Sequence, residues 1–183
     1  MKKQKSQLLI LLGVLIVTAL GYLGLKYMNQ NQSGDIEEVS EVEVLSIPAD
    51  EVIGFSYDYE GEIYSFVKEE DSWIYEGDTS LDLDESMVDD MIGSVTNISS
   101  EHEISEPDDF EQYGLKEPAR TVTLQTAEQE YKLMFGDYNS MIGKYYICLD
   151  GQQTVYTTSG YRYTEFETTP EDLTVVLEEE STE

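Results

Sequence analysis

The sequence predicts an α+β domain, built of antiparallel sheets in two strand-rich halves with a few packed helices and preceded by one N-terminal transmembrane helix. Three observations predict it. Short stretches of alternating apolar and polar residues are joined by connections of hairpin length, which cannot make a parallel sheet. Asp84 to Ile98 switches to helical spacing. Leu8 to Leu25 is an uncharged run of 18 residues.

That run spans about 27 Å as a helix, enough for the hydrocarbon core of a bilayer. Lys2, Lys3 and Lys5 precede it, whereas only Lys26 and Tyr27 follow as an interfacial anchor. The asymmetry places residues 1–7 in the cytoplasm and the rest outside. A cleaved signal peptide is the alternative, because Val17 and Ala19 form a small-residue pair of the kind a signal peptidase reads. The length of the apolar run and the lack of a polar end before Gly21 favour an uncleaved anchor. Residues 26–43 are polar and acidic and read as a tether with a reach of about 20 Å. An extracytoplasmic domain is expected over 44–177 and a frayed acidic tail over 178–183. The segment contains no GxxxG, so it carries no argument for pairing in the membrane.

The net charge of −29 conceals an asymmetry. Four of the ten basic residues lie at or before Lys26 and the first acidic residue is Asp35, so the remainder carries 6 basic against 39 acidic residues, a balance of −33. Such a surface repels phosphate backbones, and nucleic acid is excluded as a partner class. The single cysteine, Cys148, excludes an internal disulfide and a cysteine-based zinc cluster. Its neighbours Tyr146, Ile147 and Leu149 mark it as a small core residue.

Within the domain, Val42, Val44 and Ile47 begin a first strand that Pro48 and Ala49 interrupt. Ile53, Phe55, Tyr57 and Tyr59 alternate with Gly54, Ser56 and Asp58, and Glu60-Gly61 turns the chain back into Ile63 to Lys68. Trp73 to Tyr75 completes a three-stranded meander. In the helix over 84–98, Met87, Met91, Val95 and Ile98 form one stripe with Val88 and Ile92 beside it. Asp84 caps it, and Glu85, Asp89 and Asp90 favour the positive end of its dipole. The cluster Asp82, Asp84, Glu85, Asp89 and Asp90 lacks the glycine and the bidentate glutamate of a calcium loop, and no metal is expected there. His102, the only histidine, stands in an expected strand EHEI, where neighbouring carboxylates point to the opposite face and cannot orient it.

The two halves meet at SEPDDFEQYGLKEPARTVTL, from Ser105 to Leu124. Pro107 suits the first turn of a short helix, with Ser105 or Glu106 as its cap. Gly114 is placed to close that helix in the left-handed conformation, and Leu115 to pack against Phe110 in a Schellman motif. Pro118 then forbids continuation and a strand begins at Arg120. Strands follow over Thr121–Thr126, Glu130–Phe135, Lys144–Leu149 and Thr154–Thr158, with Asp150-Gly151 as a hairpin turn. Thr169-Pro170-Glu171-Asp172 starts a final short helix carrying Leu173, Val175 and Val176.

The strand SWIYEG with Trp73, the helix DESMVDDMIGSVTNI, the phrase DDFEQYGLKEPARTVTL and the later GKYYICLDGQQTVY together resemble a bacterial family known as domain of unknown function 4340. Its most characteristic mark is YGL-x-x-P, here Tyr113, Gly114, Leu115 and Pro118. The resemblance covers roughly Val52 to Leu173. It implies an envelope protein displayed outside the membrane, with some relatives encoded beside ABC-transporter components, and it carries no catalytic residue across. Many relatives look like lipoproteins, whereas this chain lacks the anchoring cysteine, its one cysteine being Cys148 within the domain.

Composition and motifs therefore favour a membrane-tethered binding or accessory module with a membrane or envelope protein as partner, no cofactor and no enzymatic activity. GxSxG, the P-loop and HExxH are all missing. A hydrolase using two carboxylates is the alternative, although among 39 acidic residues suitable pairs arise by chance. An acidic, cation-binding structural protein facing the wall is another, suggested by the charge and the 14 tyrosines. Tyrosines at alternate strand positions more commonly pack sheets.

Overall fold

A computed structural model describes residues 41–175; the expected transmembrane segment, most of the tether and the acidic tail lie outside the described residues. Among the described residues no helix is long and apolar enough to cross a membrane. Ten strands and two helices follow in order. They are β1 (Val42–Ser46), β2 (Val52–Tyr59), β3 (Glu62–Glu69), β4 (Ser72–Tyr75), α1 (Glu85–Thr96), β5 (Asn97–Ser100) and β6 (Glu103–Ser105), then β7 (Arg120–Thr126), β8 (Glu130–Asn139), β9 (Lys144–Leu149), β10 (Thr154–Ser159) and α2 (Gly160–Thr164). All pairings between them are antiparallel, as short connections require.

The α+β class holds, but the two strand-rich halves are not separate sheets. One eight-stranded sheet runs β4-β3-β2-β7-β8-β9-β10-β6, and β1 and β5 form a small second sheet. β2 joins the halves by pairing with β7, with Tyr57 opposite Val122 and Phe55 opposite Leu124. The same face then carries Phe66, Leu133, Phe135 and Ile147. Phe55 stacks on Phe66 at 4.6 Å and meets Trp73 edge-on at 5.3 Å. Each such side chain contributes about 1.5–3 kcal/mol through burial, so this face is the main source of stability.

α1 covers that face with Val88, Met91, Ile92 and Val95. Asp84 caps it by accepting from the Ser86 and Met87 amides at 3.0 and 3.4 Å. The expected helix is two residues too long, because Asn97 turns extended and Ile98 enters β5 as a buried strand residue. Met87 is exposed rather than part of the packed stripe. α1 has no basic residue in its last turn, and Arg162 of α2 supplies the missing cation. Its guanidinium donates to the Ser94 and Asn97 carbonyls at 2.8 and 3.3 Å.

Several local expectations are corrected. Glu43, expected at the end of the tether, belongs to β1, which begins at Val42 as expected and stops at Ser46, before Ile47. A register shift between Val52 and Gly54 turns Val52 inward and leaves Ile53 exposed, breaking the simple alternation. His102 is not in a strand but in the link between β5 and β6. No helix begins at Pro107: Glu106 has φ +54°, and only a single 3-10 turn, Glu111–Tyr113, follows. Asp109 starts it by accepting from the Glu111 amide at 2.9 Å. The final helix is also a 3-10 turn, Pro170–Leu173, with Asp172 accepting from the Thr169 amide and hydroxyl. Val175 is exposed and Val176 lies outside the described residues.

Candidate functional site

The second face of the large sheet is covered over only part of its width. At the β8-β9-β10-β6 end, Leu115, Cys148 and Val155 are buried together, with Ile104, Phe110, Tyr113, Met134 and Tyr146 against them. The cover is the YGL segment. Gly114 is left-handed at φ +68°, its amide donates to the Glu111 carbonyl at 3.0 Å and the Leu115 amide to the Phe110 carbonyl at 3.1 Å. Those two bonds are the pair that defines a Schellman motif, here closing one 3-10 turn instead of a helix. Leu115 is thereby pressed against Phe110 and onto the sheet. Pro118 lies in the link to β7 and Tyr113 meets Tyr146 edge-on at 4.9 Å.

At the other end the same face is open. Ser65, Ser56, Thr123 and Lys132 occupy consecutive cross-strand positions on β3, β2, β7 and β8. They alternate with the core residues Phe66, Phe55, Leu124 and Leu133, so the pleat sends them away from α1. Ser56, Thr121, Thr123, Lys132 and Ile63 line a shallow depression of about 260 Å³, with Ile63 72% exposed at its margin. A smaller one of about 110 Å³ continues it past Ser65, Gln125 and Glu130. Hydroxyls, an amide, one cation, the carboxylates of Asp58, Glu76 and Glu130 and one exposed apolar side chain thus line a shallow, mostly polar surface on the strands.

Elsewhere, a cleft of about 420 Å³ opens between β1 and β8, lined by Glu43, Glu130, Lys132 and Asp150 among others. No group of three His, Cys, Asp or Glu among the described residues is placed to hold a metal ion. The acidic cluster at the start of α1 has structural partners. Glu85 accepts from the Trp73 amide at 3.0 Å and Asp89 from the Trp73 indole N–H at 3.2 Å. Trp73 thus clamps β4 to α1. His102 is exposed, and its backbone exchanges hydrogen bonds with the Ser100 hydroxyl. Cys148 is buried, and desolvation pushes its thiol pKa up, which suppresses the thiolate. Asp78, Asp84 and Glu101 are held below the usual carboxylate range by hydrogen bonds from Ser80, Ser86 and Lys144 respectively. Those shifts favour the anion, the opposite of what a proton donor needs.

The sequence reading overlooked Arg120. It is 4% exposed and sits between the rings of Tyr163 and Tyr59, at 4.2 and 5.3 Å. It donates to the Tyr163 carbonyl at 2.7 Å and to the Asp58 carbonyl at 3.2 Å. Its register with Val122 and Leu124 was the available signal, since a charge on the apolar side of a strand demands buried partners. Arg120 and Arg162 are the chain's two arginines, and both are engaged by backbone carbonyls.

A family model described as Domain of unknown function (DUF4340) matches residues 73–175. No curated protein and no solved structure matches the chain.

Proposed function

This chain belongs to the family described as Domain of unknown function (DUF4340), and from that premise we propose that it is a membrane-anchored, extracytoplasmic binding or accessory module rather than an enzyme. The observation that carries the reading is the uncovered half of the sheet. Natural sheets with two buried faces read as apolar on both, whereas here the Ser65-Ser56-Thr123-Lys132 row is polar and shallow. A flat, preorganised surface of hydroxyls with an exposed isoleucine suits a protein partner better than a small substrate, which calls for a deep apolar pocket. An ABC-type transporter or other envelope complex is the partner class, a choice supported by the family resemblance. The apolar run at Leu8 to Leu25 supports anchorage, and the lysines before it support an outside location for the domain.

Photocrosslinking tests this directly. A photoreactive side chain at Thr123 of the full-length protein in cells should yield discrete adducts with a membrane protein, and one at Asp71, in the β3–β4 turn, should not. Equal, diffuse labelling from both positions would remove the binding face. Protease added to protoplasts should digest the domain, and full protection would reverse the topology. Turnover on a hydrolase panel, abolished by one carboxylate substitution, would replace this reading with the enzyme.

A further inference from the structure

The β8–β9 hairpin projects beyond its neighbours. β7 reaches only as far as Arg120, opposite Phe135, and β10 ends at Ser159, opposite Lys144, so residues 140–143 have no strand beside them. The tip is nevertheless built. Asn139 accepts from the Gly143 amide at 2.9 Å through its carbonyl and from the Met141 amide at 3.0 Å through its side chain, while its side-chain amide donates to the Tyr146 hydroxyl at 2.6 Å. On this fixed turn stand Met141, 92% exposed, and Ile142, 39% exposed. Tyr138 is exposed below them, and Tyr161 is exposed two residues past Ser159. Tyr138 to Gly143 contains no charged residue, in a chain that is 27% charged.

The tip shares an end of the domain with the point where the chain enters it. Val42 pairs with Ser100, and the Ser99 hydroxyl donates to Glu41. Glu101, which follows Ser100, accepts from Lys144 at 2.6 Å, and Lys144 pairs with Asn139 at the base of the tip. On the anchored reading proposed above, an expected tether with a reach of about 20 Å would deliver the chain from the bilayer to this end.

We propose that the β8–β9 tip contacts the bilayer, with Met141 and Ile142 entering the interface and Tyr138 and Tyr161 at headgroup level. The proposal rests on the anchored reading given above. Its chemistry is that of an interfacial anchor: apolar tips inserted a few ångströms, with amphipathic aromatics behind them. The exterior charge of −33 keeps the remaining surface away from lipid phosphates, which leaves the uncharged tip as the part able to approach. Tethering raises the effective concentration of so small an insertion and makes it persistent. The contact fixes the orientation of the domain, so that the open sheet face is presented at a set angle to its partner.

Full-length protein reconstituted in phosphatidylcholine vesicles carries the test, with Trp73 as a constant background subtracted through the wild type. Met141→Trp should lose at least half its added emission when the lipid is brominated high on the acyl chains, and Ile63→Trp, on the open face, should lose none. Equal quenching of the two overturns the tip contact. Protection of the Met141→Trp indole from aqueous iodide without bromolipid quenching assigns the tip to a protein surface, a second copy or a partner, and also overturns it. Flotation after alkaline washing separates the two readings: a chain that does not float loses the anchor and the tip together, and one that floats without quenching loses the tip alone.

Discussion

Gly136 of β8 faces the carbonyl of Tyr113 so closely that a Cβ on it would lie 2.0 Å from that oxygen. The YGL turn therefore seats backbone against backbone, at the register shift between Phe135 and Tyr138. Gly136→Ala should cost roughly 1–3 kcal/mol, the usual range for overpacking. Gly114→Val should cost at least about 1 kcal/mol through its left-handed backbone alone, and its Cβ would also meet the Asp137 amide nitrogen at 2.8 Å. Urea unfolding of each variant measures both, and a wild-type midpoint for either would show that the turn yields.

Trp73 and Asp89 should be energetically coupled. A double-mutant cycle with Trp73→Phe and Asp89→Ala isolates the indole bond from the lost ring area and should return about 0.5–1.5 kcal/mol. A coupling near zero would leave Trp73 a packing residue only.

Arg120→Lys should behave as a severe substitution despite conserving charge. A lysine cannot reproduce the planar stack on Tyr163 or reach both carbonyls, so a loss of roughly 2–4 kcal/mol is expected. A change under about 0.5 kcal/mol would show that the stack contributes nothing.

The Glu101–Lys144 pair should give an acid-dependent increment. The lysine lowers the Glu101 pKa from its ordinary 4.5, so the folded state binds fewer protons there than the unfolded chain. Its stabilisation is then present above about pH 4.5 and fades as pH falls through the folded value. The difference in urea midpoint between the wild type and Glu101→Gln should be positive at pH 6 and shrink towards zero at pH 3. An unchanged difference would remove the ion pair as its cause.

The sequence displayed faces more clearly than partners. Phe55 and Tyr57 alternate with Ser56 and Asp58, which marks the hairpin β2–β3 and its inward side. Alternation cannot state that β2 also pairs with β7, because periodicity records burial and not the strand that provides it. The polar positions Ser56, Ser65 and Thr123 were readable as outward-facing, but their remaining uncovered depends on where the YGL turn stops. Trp73 was prominent as a motif, whereas its bonds to Glu85 and Asp89 required knowing that α1 folds back on β4. Gly114 was legible in advance because φ > 0 at a chain reversal is a local demand. The helix expected at Pro107 failed on equally local grounds, since Glu106 takes a positive φ and Asp109, further on, starts the turn.

The junction between β2 and β7 also governs the order of assembly. β2, β3 and β4 leave the ribosome well before β7 and can zip as neighbours, yet about 60 residues separate the end of β2 from the start of β7. Until β7 emerges, β2 is an edge, with Phe55 and Tyr57 beside an unpaired row of amides and carbonyls. β6 waits too, over about 50 residues, for it is made before β7 but docks on β10, the last strand among the described residues. A chain stalled or truncated before Arg120 would therefore be a sticky half-sheet, and the closing of that seam is the step at which a chaperone or a protease would decide its fate.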